Sequence, residues 1–151
     1  MRVFQTLQEV VDLVGQELAV SDWIEITQDR INQFAQATGD HQWIHVDPER
    51  AQSGPFGSTI AHGFLTLSLM PAFFDSALQV NQTRMSVNYG VNKVRFTSPV
   101  PVGSKLRARI TLKSADPIEP LGFQMTYTVT VEREGSDKPV CVAETIARRY
   151  A

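Results

Sequence analysis

The sequence predicts an α+β domain in which a curved antiparallel sheet wraps one central, apolar helix. Helical patterning fills the first half of the chain and strand patterning the second. That segregation separates α+β from alternating α/β architectures. Residues 63–78 are apolar on most sides, as expected of a helix buried in its own domain. Residues 86–97, 104–113, 123–132 and 140–150 are rich in β-branched and aromatic side chains, and Met125, Tyr127, Val129 and Val131 alternate with Thr126, Thr128 and Thr130.

Taken in order, residues 1–15 read as a short amphipathic helix: Phe4, Leu7, Val10, Val11 and Val14 recur at helical spacing before Gly15. Residues 23–26 read as a short strand. Thr27 is the expected N-cap of a second helix, with Asp29 in its first turn and Ile31, Phe34, Ala35 and Thr38 on its packed face. Gly39 is expected to end it in a left-handed conformation. Residues 40–59 read mainly as loop, with a short helix from Asp47 as N-cap and Pro48 at the first helical position. Pro71 falls inside the apolar helix and is expected to kink or split it. Pro99, Pro101 and Gly103 separate the first two long strands, Pro117 and Pro120 the next pair, and Gly135 and Ser136 the last.

Composition bounds the function. A chain of 151 residues suits one domain over residues 1–151, and no repeat divides it. Its formal net charge of −2, with Lys and Arg scattered, offers no broad basic surface for nucleic acid. Nowhere does it approach the run of about 18 apolar residues that suggests a membrane span. The one cysteine, Cys141, allows no intrachain disulfide. The first residues are interrupted by Gln5, Gln8, Glu9 and Asp12 and do not form a secretory apolar core. A reducing, cytoplasmic setting is expected.

The candidate chemistry is concentrated in one interval. His41, His45 and His62 are the chain's three histidines, and they share residues 39–63 with Asp40 and four glycines. Asp40 and His45, five apart, would not sit side by side on a helix, but on a loop they can converge on one small ligand. A carboxylate and an imidazole are the pair needed to hold and polarise a water. The bland alternative, with Asp40 capping a turn and His45 a satisfied residue, stands beside that reading. The run Ile60, Ala61, His62, Gly63 leads into the apolar helix, where free backbone N–H groups favour negative charge. Such a donor can stabilise a carbonyl oxygen that is gaining charge; Gly63 can equally serve close packing. Ser68 on the same helix, taken alone, reads as a serine bonding back to a carbonyl. His41 and His45 have a helical zinc spacing, but Pro48 and the glycines argue against a regular helix, so no metal is expected. Cys141 lies in an apolar strand and reads as an inert core thiol.

Residues 34–47 (Phe-Ala-Gln-Ala-Thr-Gly-Asp-His-Gln-Trp-Ile-His-Val-Asp) resemble the hydratase signature of the MaoC-like family. Residues 60–63 and the helix after them resemble its second motif. Residues 88–96, followed by 99–103, look like the nodulation-protein-N branch. The three motifs occur in order and cover nearly the whole chain. The resemblance implies a hot-dog fold, a homodimer, and reversible hydration of trans-2-enoyl-CoA to (R)-3-hydroxyacyl-CoA without metal or bound cofactor. By position it implies Asp40 and His45 as the catalytic pair, Gly63 as the backbone donor to the thioester carbonyl, and Ser68 as a serine supporting the site. Ile60 and His62 belong to the same substrate-binding motif. Asn88, Tyr89, Asn92 and Arg95 are candidate contacts for the coenzyme arm across the dimer surface, or sheet-face residues. The commoner family loop has Asn and Pro where this chain has Gln42 and Trp43. Gln42 still offers an amide, and the bulk of Trp43 is placed to wall the acyl pocket. Competing readings are a thioesterase on the same fold, which would release free thiol, and a non-catalytic acyl-CoA-binding protein.

Overall fold

Local signals set the first elements in the computed structural model, which describes residues 1–151. Strand β1 (Arg2–Phe4) precedes helix α1 (Leu7–Val11), which Thr6 caps by accepting from the Glu9 N–H. The expected helix over residues 1–15 is thus shorter. Residues 2–4 pair instead, in parallel, with residues 78–80, a long-range contact that overrides their helical spacing. Strands β2 (Glu17–Val20) and β3 (Ile24–Glu25) follow. Helix α2 (Gln28–Thr38) is bounded as predicted. The Thr27 side chain accepts from the Arg30 N–H, and Gly39 adopts φ +82°, a left-handed turn that side chains resist.

Two short helices, α3 (Trp43–Val46) and α4 (Pro48–Gln52), then fold into the region read as loop. Asp47 and Pro48 start α4 as expected, and the Asp47 carboxylate accepts from the Arg50 N–H. The apolar helix is split into α5 (Gly63–Ser68) and α6 (Met70–Ala77), with Leu69 between them. Pro71 cannot donate to the Leu67 carbonyl, so the ladder breaks one turn before the ring. The remaining strands are β4 (Leu78–Val80), β5 (Met85–Arg95), β6 (Lys105–Ile118), β7 (Gly122–Arg133) and β8 (Cys141–Tyr150).

The main sheet is antiparallel, in the order β2-β6-β7-β8-β5, with β3 also on β6. Its concave face buries Leu106, Ala108, Ile110 and Leu112 of β6, Met125, Tyr127, Val129 and Val131 of β7, and Cys141 and Ala143 of β8. Leu65, Leu69, Met70, Phe73 and Ala77 of the split helix fill the concavity. A curved sheet around a central apolar helix is the arrangement the sequence predicts. Pro117, expected between strands, lies within β6, opposite Phe123. Strand β2 pairs with β6 only as far as Thr111, so the edge on which Pro117 lacks an N–H has no partner strand to lose. No helix is long and apolar enough to cross a membrane.

Phe73 is fully buried where helix and sheet meet. Phe73→Ala is expected to cost about 3–5 kcal/mol, read as a lower urea midpoint with an unchanged slope; a loss under about 1 kcal/mol would mean that this side chain does not anchor the core.

Candidate active site

Gly39 ends α2 and turns the chain so that Asp40 meets the start of α5. The His62 ring lies with Nε2 3.0 Å from the Asp40 backbone carbonyl and 3.9 Å from its carboxylate. The His45 ring stacks on His62, centroids 3.8 Å apart, and Phe34 of α2 packs on the other side of His62 at 4.9 Å. His45 and His62 are 7% and 3% exposed, while the Asp40 side chain is 52% exposed. One donor atom from each of Asp40, His45 and His62 lies within 4.8 Å of the others.

The backbone fixes the His45 tautomer. Nδ1 sits 2.7 Å from the Ile60 carbonyl, which can only accept, so Nδ1 carries the proton. That leaves Nε2 with its lone pair, the form a general base needs. The Ile60 carbonyl is itself held firmly: Ile60 N–H donates to Ile44, Ala61 N–H donates to Val100, and Ile60 bridges Pro101. Gln28, on α2, donates to the His45 carbonyl and accepts from the Thr59 hydroxyl, tying three segments together behind the ring. Burial is the largest influence on His45 and holds its pKa below the ordinary 6.5, and the neighbouring His62 adds to that. The Ile60 bond and the Asp40 charge oppose it without reversing the direction. His45 is therefore neutral at neutral pH.

The same logic puts a proton on His62 Nε2, facing the Asp40 carbonyl. Its Nδ1 is buried without a partner. Asp40 accepts weakly from the Gln42 N–H at 3.3 Å, so its carboxylate retains free acceptor positions toward solvent. Two imidazoles and a carboxylate are also a plausible donor set for a divalent cation. One nitrogen of each ring faces a backbone carbonyl, and on His62 that nitrogen, Nε2, is the one 3.9 Å from the Asp40 carboxylate, so the ring would have to give up this bond to ligate a cation beside Asp40.

Gly63 opens α5, where its N–H has no carbonyl within the helix to bond. A Cβ there would lie 2.6–2.9 Å from the Phe96 ring, so close packing also requires glycine. Both properties anticipated for Gly63 therefore coexist. Ser68 donates to the Phe64 carbonyl at 2.7 Å and lies outside the Asp40–His45–His62 cluster. It lines instead a cavity of about 900 Å³ between the split helix and strands β5 and β8, together with Asn88 and Tyr89. Asn92 donates to Glu144, and Arg95 donates to the carbonyl of Val94; neither lines that cavity. Trp43, expected to wall an acyl pocket, is not on its lining either. It lies against Gly54, with the Arg50 guanidinium 4.3 Å over its ring, because the turn of α3 points it away from the helix–sheet space. Cys141 is fully buried, and burial pushes its thiol pKa up to about 11, so it is no nucleophile. Gln28 and Phe34 carry no chemical signal in the sequence: Gln28 lies outside the three motifs, and Phe34, which opens the first of them, reads only as a packing residue of α2.

Known proteins resemble this chain in sequence and in fold. Residues 9–134 match the family model described as MaoC like domain. Over all 151 residues the chain is 51% identical to 3-hydroxyacyl-thioester dehydratase Z of Mycobacterium tuberculosis, with both chains fully covered. It is 46% identical over 143 residues to Nodulation protein N of Rhizobium leguminosarum, covering 93% of this chain and 89% of that one. Among solved structures, R-hydratase PhaJ1 from Pseudomonas aeruginosa superposes with a TM-score of 0.68 at 25% identity, covering 89% of this chain and 79% of that one. The fold is the hot-dog fold that the motifs implied, and the chain belongs to the MaoC-like dehydratase family.

Proposed function

We propose that this chain is an (R)-specific enoyl-CoA hydratase, equally a 3-hydroxyacyl-thioester dehydratase, and that Asp40 and His45 carry the reaction on one water. The observation behind this reading is the His45 tautomer together with its distance from Asp40. A water bonded to two acceptors at ordinary lengths holds them about 4.6 Å apart, and a ring nitrogen of His45 and a carboxylate oxygen of Asp40 lie no more than 4.8 Å apart.

The steps balance. The thioester carbonyl accepts from the Gly63 N–H, which draws electrons from C3. His45 Nε2 takes one proton of the water while Asp40 accepts from the other and orients it. The oxygen adds to C3, and the electron pair of the double bond passes toward the carbonyl as an enolate. The His45 imidazolium then returns its proton to C2 on the same face, so H and OH add across the double bond and the base is regenerated. No metal or bound cofactor enters this scheme. His62 acts on the pair by stacking on one member and bonding the backbone of the other.

A homodimer accompanies this reading. Strand β5 pairs only with β8, and ten of its eleven residues are exposed. Met85, Val87, Tyr89 and Val91 add apolar surface to that edge, and Phe64 and Phe96 lie exposed beside the start of α5. A long unpaired edge with apolar side chains invites strand addition. A second copy related by a two-fold axis would cover it, placing the site near the junction.

Asp40→Asn and His45→Gln are each expected to lower the turnover of crotonyl-CoA by at least about 10²–10⁴-fold with the circular dichroism unchanged. The assay follows loss of the enoyl-thioester absorbance and identifies the product by chiral analysis. A variant near wild-type activity would remove that residue from the mechanism, and release of free thiol would indicate a thioesterase.

Because burial depresses the His45 pKa, the acid limb of kcat/KM should be centred below pH 6.5. Stability linked to His45 has the same sign: it is fully present above 6.5 and is lost as pH falls through the lower folded-state value. A pH–rate profile with an acid limb centred above 6.5 contradicts the assignment of His45 as base.

Val87→Asp should halve the mass measured by light scattering. Retention of the dimer mass would move the interface away from β5.

A further inference from the structure

The large cavity ends in a polar corner that the hydration chemistry does not use. It begins about one and a half turns along α5 from Gly63, at Leu67 and Ser68. On the sheet side it follows the inward face of β8 from Thr145 to Arg149, roughly 13 Å along the strand. Its middle is apolar, formed by Met70, Pro71, Phe74 and Leu78 opposite Ala147. Neither Gly63 nor the Asp40–His45–His62 cluster lines this cavity, and an acyl chain held at Gly63 would enter it past Leu67 and Ser68.

Only three buried side-chain polar atoms in the protein lack a hydrogen-bond partner. His62 Nδ1 is one and belongs to the active site. The other two, Thr83 Oγ1 and Arg149 Nε, both line the far end of the cavity. They meet because Ser86, three residues after Thr83, pairs with Arg149 across β5 and β8. A buried Nε–H without an acceptor is costly, and native proteins rarely keep one without a role, even where the rest of a half-buried guanidinium reaches other groups. Arg149 forms no ion pair. Its guanidinium carbon lies 5.9 Å from the Phe74 ring and 6.0 Å from that of Tyr127, which hold it along the apolar wall. The other titratable groups on the lining are Tyr89, Tyr127 and Asp75. Tyr127 is buried, with its hydroxyl on the Met125 sulfur; burial raises its pKa, and the charge and hydrogen bond of Arg149 oppose that without reversing it, so Tyr127 stays neutral and offers Arg149 no anion. Asp75 is exposed at the surface of α6 and is not within ion-pair distance of Arg149.

We infer that Thr83 and Arg149 form a subsite for an anionic oxygen group at the far end of the acyl chain, so that the preferred substrate is a medium-chain thioester with a terminal carboxylate. The guanidinium supplies charge and donors, the Thr83 hydroxyl supplies one more donor, and the apolar middle of the cavity takes the methylenes. A chain ending in a methyl group would reach the same corner and leave both donors unpaired, which is the arrangement that discriminates most strongly against a substrate lacking the polar group. This rests on the proposed hydratase reading for the direction of the chain, but not for the existence of the subsite.

The test uses suberyl-CoA and octanoyl-CoA, which differ in carboxylate for methyl at the chain end, with binding to the intact protein measured by calorimetry. Suberyl-CoA should bind at least about tenfold more tightly, the factor that corresponds to one charge-assisted hydrogen bond. Arg149→Met should abolish that difference, with octanoyl-CoA binding no weaker than in the wild type because no donor is left unpaired, and Thr83→Val should reduce it. Arg149→Lys should keep part of it, which separates lost charge from lost packing. Equal or weaker binding of suberyl-CoA by the wild type, or an unchanged preference in Arg149→Met, overturns the proposal. Crotonyl-CoA is too short to reach Arg149, and its hydration by the same variants tests the catalytic reading separately.

Discussion

The bond from His45 Nδ1 to the Ile60 carbonyl is the contact on which the site depends. It joins the short helix α3 to the segment that leads into the central helix, and it sets which nitrogen of His45 is basic. Without a fixed acceptor at Nδ1, the ring could hold its proton on either side and rotate within the loop. The acceptor is fixed because residues 59–61 are bonded on two sides, to Ile44 and to the Val100–Val102 segment. The loop that carries the chemistry therefore has the rigidity of the sheet behind it, which is how a loop holds a reactive side chain to the tolerance catalysis requires.

Much of this was legible in the sequence, for physical reasons that differ between elements. Helix α2 was readable at both ends because its boundaries are local: a threonine hydroxyl at one, a left-handed glycine at the other. The division of the apolar helix followed from the missing N–H of Pro71. The hot-dog wrap followed from a helix without a polar face and strands with clear alternation. Strands β1 and β4 were not readable, because each has three residues and exists only through pairing with the other, more than seventy positions away.

The site was legible as a cluster but not as a mechanism. Three histidines in one interval, beside Asp40, marked the place. The direction of each proton depends on which backbone carbonyl faces each ring, and nothing in the identities of Ile60 or Asp40 announces that their carbonyls play this part. The structure also separated residues that the motifs grouped together. Ser68 and Asn88 face the large cavity, Asn92 bonds Glu144, and Trp43 lies against Gly54 and Arg50. Thr83 and Arg149 had no signal at all, being an ordinary turn threonine and the penultimate residue of a strand until the fold brings them to one cavity.

The break at Leu69 has an evolutionary consequence. On one side of it, α5 begins at Gly63, the donor in the proposed mechanism; on the other, Met70, Pro71 and Phe74 of α6 line the large cavity. Because the two helical pieces are joined by a single residue rather than one rigid ladder, substitutions in α6, β4 or the tip of β5 can remodel the accepted chain without moving the histidine pair. Descendants of one ancestral gene can then diverge in the shape of this cavity while inheriting the same cluster of Asp40, His45 and His62.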